Sequence, residues 1–114
     1  MYLLVTGFYA FLSHLDYLYA AVAAYLCGCF NGALFTSRLF FHDDVRTHGS
    51  GNAGLTNFYR TYGAKYALGV ILFDMGKTVI ACLIGGAAFD YLAGDWMLGV
   101  LLGGLGCELG HMFP

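Results

Sequence analysis

Charge is what this chain of 114 residues has least of: 11% of it is Asp, Glu, Lys or Arg, where soluble domains run at about 25%. Together with 60% hydrophobic residues and a mean hydropathy of +0.70, the deficit points to a membrane protein. A net charge of −2 with histidine neutral leaves no basic footprint for nucleic acid. No lysine or arginine precedes Arg38, so the opening residues lack the positive region of a secretory signal. Metal-ligand spacing is missing as well. Cys27 and Cys29 have one residue between them, tighter than zinc-binding pairs, and Cys82 and Cys107 stand apart. All four read as small packing residues, with no metal expected.

What remains is apolar sequence in blocks. Residues 17–37 carry no formal charge; at helical rise they reach roughly 31 Å, enough to cross a bilayer core. Helix is the default there because lipid offers backbone groups no other partners. Ala20, Ala24, Gly28 and Gly32 recur at fours along it, giving one face that a second helix could approach closely. A polar segment follows over 38–65. A second apolar stretch, 66–89, is interrupted by Asp74 and Lys77, and a third covers 96–114. The pattern predicts an all-α transmembrane bundle in a single integral membrane domain over 1–114. Its spans lie near 17–40, 66–89 and 96–114, joined by a polar loop at 42–65. Whether residues 1–16 lengthen the first span is open. Of the five basic residues, only Lys77 lies outside 38–65, so positive-inside bias puts that loop on the cytoplasmic side. The end of the third span then arrives on the same side.

Inside the loop stands HGSGNAGLTNFYR, residues 48–60. Gly49, Gly51 and Gly54 allow close backbone approach, and successive N–H groups in such a segment form a concave nest for phosphate or carboxylate oxygens. Ser50, Asn52, Thr56 and Asn57 add neutral donors. Arg60 adds a planar fork suited to phosphate. Phe58 and Tyr59 suggest that a helix starts here, with Thr56 or Asn57 in its first turn, where the dipole also favours an anion. No carboxylate interrupts the stretch. The spacing matches neither the Walker nor the dinucleotide glycine loop, so a nucleotide is not expected. A merely glycine-rich turn is the plainer alternative.

Asp74 and Lys77, three apart, share one helical face. Each costs about 2.5–3.5 kcal/mol near a bilayer centre, so both should face a bundle or a wet cavity. An internal salt bridge and a substrate-facing pair are both consistent with the residues. Glu108 and His111 are also three apart; His111 reads as a general base or as a packing histidine.

The motif HGSGNAGLTNFYRTYG closely resembles the first signature of the bacterial acylphosphate-dependent glycerol-3-phosphate acyltransferases, roughly His-Gly-Ser-Gly-Asn-x-Gly-Ala-Thr-Asn-x-x-Arg. Other landmarks come in family order. The run YLCG at 25–28 resembles a first-span Tyr-Leu-x-Gly, Asp74 and Lys77 resemble an Asp-x-x-Lys, and GHMFP at 110–114 resembles the opening of a second signature. Departures include Cys29, Phe30 and Asn31 where the family has Ser-Ile-Pro, Leu55 for alanine, and Thr78 for glycine. The resemblance implies acyl transfer from acyl phosphate to the 1-hydroxyl of glycerol-3-phosphate, giving lysophosphatidate, without cofactor or metal. The setting it implies is the lipid bilayer of a bacterial inner membrane, multi-pass, with a cytoplasmic site. It implies substrate binding by Ser50, Gly51, Asn52, Gly54, Thr56, Asn57 and Arg60, with Lys77 and His111 as further candidates and no protein base required. Family members are nearly twice this length, with about seven spans. The chain is therefore expected to be an N-terminal portion, incomplete at its C-terminus and inactive alone. A membrane anion-binding or transport fragment is the alternative.

Overall fold

The uncharged stretch expected to run as one helix through 17–40 is divided at Asn31. In the computed structural model, which describes all 114 residues, α1 spans Tyr2–Cys29 and α2 spans Gly32–Phe41. Asn31 takes an extended conformation (φ −113°, ψ 113°) and its side chain accepts from the Leu34 N–H, capping α2. A short amide side chain that competes for backbone hydrogen bonds ends one helix and starts another. The first helix instead extends back to Tyr2, so residues 2–16 belong to α1. A 3-10 turn, Val45–Thr47, and a short helix α3, Leu55–Tyr62, follow. They lead to the long α4, Ala64–Ala93, and to α5, Trp96–Met112. The Asp95 carboxylate caps α5 by accepting from the Leu98 N–H at 3.0 Å. No residue is in a strand. Two helices, α1 and α4, are long and apolar enough to cross a membrane. With 17 residues, α5 reaches roughly 26 Å, the short end of spanning lengths.

The chain forms two compact units. The first comprises Met1–Cys29 and Thr78–Pro114, the second Phe30–Lys77. In the first unit small residues are inside and large ones outside. Ala24, Ala81 and Cys107 make its core, whereas Leu3, Phe8, Leu101 and Leu105 are exposed. This is how helices pack in lipid, where close backbone approach rather than water exclusion drives association. A Cβ at Gly28 would collide with the Cys107 carbonyl on α5, and one at Gly110 with the Tyr25 carbonyl on α1. Only glycine permits that crossing. Tyr25 Oη donates to the Phe113 carbonyl at the same end. All four cysteines are free thiols, and Cys107 is buried among the core alanines as the packing reading expects.

The second unit is built around Ala33, Val45, Phe58, Ala67 and Val70. Phe41 stacks on Tyr62 at 4.3 Å between centroids and meets Tyr66 edge-on at 4.8 Å. These rings fasten α3 against α2 and the start of α4, which fixes the loop that precedes α3.

Replacing Gly28 or Gly110 by alanine should destabilise the protein by about 1–3 kcal/mol through overpacking. Gly7→Ala, at a helical position with nothing within 4 Å, should leave thermal unfolding in detergent unchanged or raise its midpoint. Equal effects at the three positions would contradict the crossing described here.

Candidate functional site

The loop at 48–54 is framed by an acidic pair. Asp44 caps the 3-10 turn, accepting from the Arg46 N–H at 3.0 Å. It also binds the Arg46 guanidinium through Nε at 2.9 Å and Nη2 at 2.6 Å. Arg38 reaches the same carboxylate at 3.4 Å. The Arg46 hydrogen bonds hold the Asp44 carboxyl well below the usual carboxylate range. Asp43 accepts from Tyr62 Oη at 2.8 Å, from the Asp44 N–H at 2.8 Å, and pairs with His48 Nε2 at 2.6 Å. Those bonds, the one from Tyr62 foremost, lower its pKa. Burial, followed by the Asp43 bond, pushes the Tyr62 phenol up to about 12.

Beneath the loop lies Asn57, only 5% exposed. Its Nδ2 donates to three carbonyls: Val45 at 3.1 Å, His48 at 3.0 Å and Asn52 at 2.9 Å. Gly49 has φ +52° and Gly51 φ +73°. At Gly49 the position of a Cβ is already taken by the Asn57 amide oxygen, so glycine is required there for space as well as conformation. The Gly51 N–H closes a turn onto the His48 carbonyl at 2.9 Å. One more tie comes from Asn31, whose Nδ2 donates to the Ala53 carbonyl at 2.8 Å.

Gly54 is the N-cap of α3 and supplies no side-chain cap. The first-turn N–H groups at 55–57 therefore lack both intrahelical and capping partners, at the positive end of the helix dipole. Thr56 and Arg60 lie one turn apart on the exposed side of this helix, and Ser50 and Asn52 are exposed in the loop before it. Arg38 and Arg46 are both paired with Asp44, whereas Arg60 makes no ion pair. Beside Thr56 an apolar groove of about 510 Å³ runs between α3 and α4, lined by Leu55, Tyr59, Ala67, Leu68 and Ile71.

Ser50, Gly51, Asn52, Gly54, Thr56, Asn57 and Arg60 are thus together on one loop and helix. Two of the expected ligands have other employment. The Asn57 amide is committed to the loop carbonyls. Lys77, 8% exposed, donates to the Phe30 carbonyl at 2.6 Å and pairs with Asp74 at 3.1 Å, the internal bridge that sequence left as one of two readings. His111 lies exposed in the last turn of α5, in the first unit. The structural parts of Asp44, Tyr62 and Asn31 went unnoticed in the sequence. The spacing of Asp44 and Arg46 around a turn was the one available signal.

A family described as Glycerol-3-phosphate acyltransferase matches residues 18–114. Among similar curated proteins, a glycerol-3-phosphate acyltransferase of Thermoanaerobacter sp. (strain X514) is 42% identical over 94 residues, covering 82% of this chain and 44% of the relative. One of Finegoldia magna is 35% identical over 103 residues, covering 88% and 49%. One of Pseudomonas putida (strain KT2440) is 40% identical over 95 residues, covering 82% and 47%. The chain spans about half the length of the curated relatives it matches. No solved structure matches it.

Two outcomes follow from the loop's geometry. Gly49→Ala should displace Asn57 and accelerate hydrogen exchange throughout 48–57, while exchange in α5 stays as in the wild type. Because its folded pKa is raised, Tyr62 contributes stability that is complete below about pH 10 and lost as pH rises through about 12. The Asp43 contribution, with its pKa lowered, is present above about pH 4 and lost on acidification. Tyrosinate absorbance of the wild type minus that of Tyr62→Phe should show one phenol titrating near pH 12; a difference centred near pH 10 would contradict the assignment.

Proposed function

The chain belongs to the glycerol-3-phosphate acyltransferase family, and we propose that its loop holds the phosphate of glycerol-3-phosphate during acyl transfer from acyl phosphate. The observation that carries this reading is the coincidence, on one side of α3, of an uncapped helix N-terminus with the Ser50 and Thr56 hydroxyls and the unpaired Arg60. A phosphate dianion there would meet backbone N–H groups, hydroxyls and a guanidinium fork together. Neighbouring carboxylates do not oppose it, because Asp43 and Asp44 are already satisfied by Tyr62, His48 and Arg46. Asn57 and Lys77 serve the site through the backbone they hold.

With the phosphate fixed, the 1-hydroxyl oxygen attacks the carbonyl carbon of acyl phosphate. The bond from that carbon to the phosphate oxygen breaks, and the departing phosphate takes the hydroxyl proton. The products are lysophosphatidate and inorganic phosphate, and no protein base is needed. The protein's part is proximity and charge stabilisation. The apolar groove beside Thr56 suits the hydrocarbon chain of such a donor and lies next to the anion loop, which supports acyl transfer over anion binding alone. The reading places the loop at the cytoplasmic surface of a bacterial plasma membrane, at the first step of phospholipid synthesis.

Arg60→Ala should weaken glycerol-3-phosphate binding about 10- to 100-fold, the range for one hydrogen bond to a charged group, and leave thermal stability unchanged because Arg60 holds no partner. Calorimetry on protein in nanodiscs measures both. Unchanged affinity would overturn the assignment. Radiolabelled glycerol-3-phosphate crossing sealed vesicles, with no acyl product, would favour the anion-binding or transport alternative.

A further inference from the structure

A nest of N–H groups is useful only if the peptides that carry them cannot turn over. The peptide between Ala53 and Gly54 is the last before α3, and a trans peptide points its C=O and N–H in opposite directions. The Ala53 carbonyl is taken by Asn31 Nδ2 at 2.8 Å, so the Gly54 N–H and the open first turn of α3 face the other way. The Asn31 amide is used at both ends, for its oxygen accepts from the Leu34 N–H at 2.9 Å. One partner can only accept and the other only donate, which fixes the orientation of the amide.

Asn31 is itself gripped on both flanks. The Phe30 carbonyl accepts from Lys77 Nζ at 2.6 Å, and the Gly32 N–H donates to Asp74 Oδ1 at 3.1 Å. The two charged side chains pair with each other at 3.1 Å. The buried Lys77 and half-buried Asp74 of α4 thus clamp the backbone on either side of Asn31, and Asn31 holds the end of the glycine loop. Neither function needs the other: a helix cap requires only the Asn31 oxygen, while the bond to Ala53 requires the nitrogen.

We propose that Asn31 is a positioning residue for the phosphate loop, acting through the Ala53 carbonyl to aim the N-terminus of α3 at the ligand. The proposal rests on the functional reading above and deepens it. It also makes Asp74 and Lys77 remote supports of the same loop.

The test separates cap from anchor. Asn31→Ser retains a good cap for α2 and stays neutral, but its hydroxyl is too short to reach Ala53 while it caps. Asn31→Ala loses both roles. In nanodiscs, Asn31→Ser should keep the wild-type melting temperature and wild-type hydrogen exchange across α2. Exchange at 54–57 should rise and the Kd for glycerol-3-phosphate should increase about fivefold, as for one lost neutral hydrogen bond. Asn31→Ala should add faster exchange in α2. Wild-type exchange at 54–57 in the serine variant, or an unchanged Kd, would overturn the proposal. A wild-type protein that binds no glycerol-3-phosphate would sink the functional reading instead, and the exchange at 54–57 would still decide whether Asn31 anchors the loop.

Discussion

Every peptide that turns its N–H toward a ligand turns its carbonyl away from it, and those carbonyls need donors of their own. That requirement governs the loop at 48–54. Asn57 supplies a donor to the carbonyls of His48 and Asn52, and Asn31 supplies one to Ala53. The glycines let the chain adopt the turns, but two buried or half-buried amides decide which side of the backbone faces out. The aromatic packing of Phe41, Phe58 and Tyr62 matters to the site because it seats α3, and with it Asn57, beneath the loop.

The distribution of charge follows the same economy. In a chain this poor in ionisable groups, Arg38 and Arg46 converge on Asp44, His48 meets Asp43, and Lys77 meets Asp74. The pairs brace the turn before the loop and the break between α1 and α2. Arg60 stays outside them, in the last turn of α3 and one turn beyond Thr56, and the proposed function gives this unpaired guanidinium to the anion.

Much of this was legible in sequence because it depends on local chemistry. Glycine spacing, the density of donors, and a helix beginning near Thr56 follow from residue type and neighbours within a turn or two. Elements not legible depend on contacts across long separations. The stretch 17–40 reads as one helix until Asn31 is seen to have two uses, one of them 22 residues away. The Asn57 side chain looks like a ligand for phosphate until the carbonyls that take its Nδ2 are placed, which leaves its backbone N–H for that part. Lys77 was balanced between two readings because its partner across the helix break, the Phe30 carbonyl, lies 47 residues back. The small-residue stripe of α1 was visible, but the glycines that it meets on α5 become visible only in three dimensions.

The central claim is that the N–H groups at the head of α3 receive the phosphate. Amide chemical shifts of the isotopically labelled protein, followed while glycerol-3-phosphate is added and then with free glycerol as control, test it most directly. The account predicts that the amides of Leu55, Thr56 and Asn57 move most, in the direction of stronger hydrogen bonding, and that glycerol alone moves none of them. Shifts that bypass these three amides, or that glycerol reproduces, would contradict it.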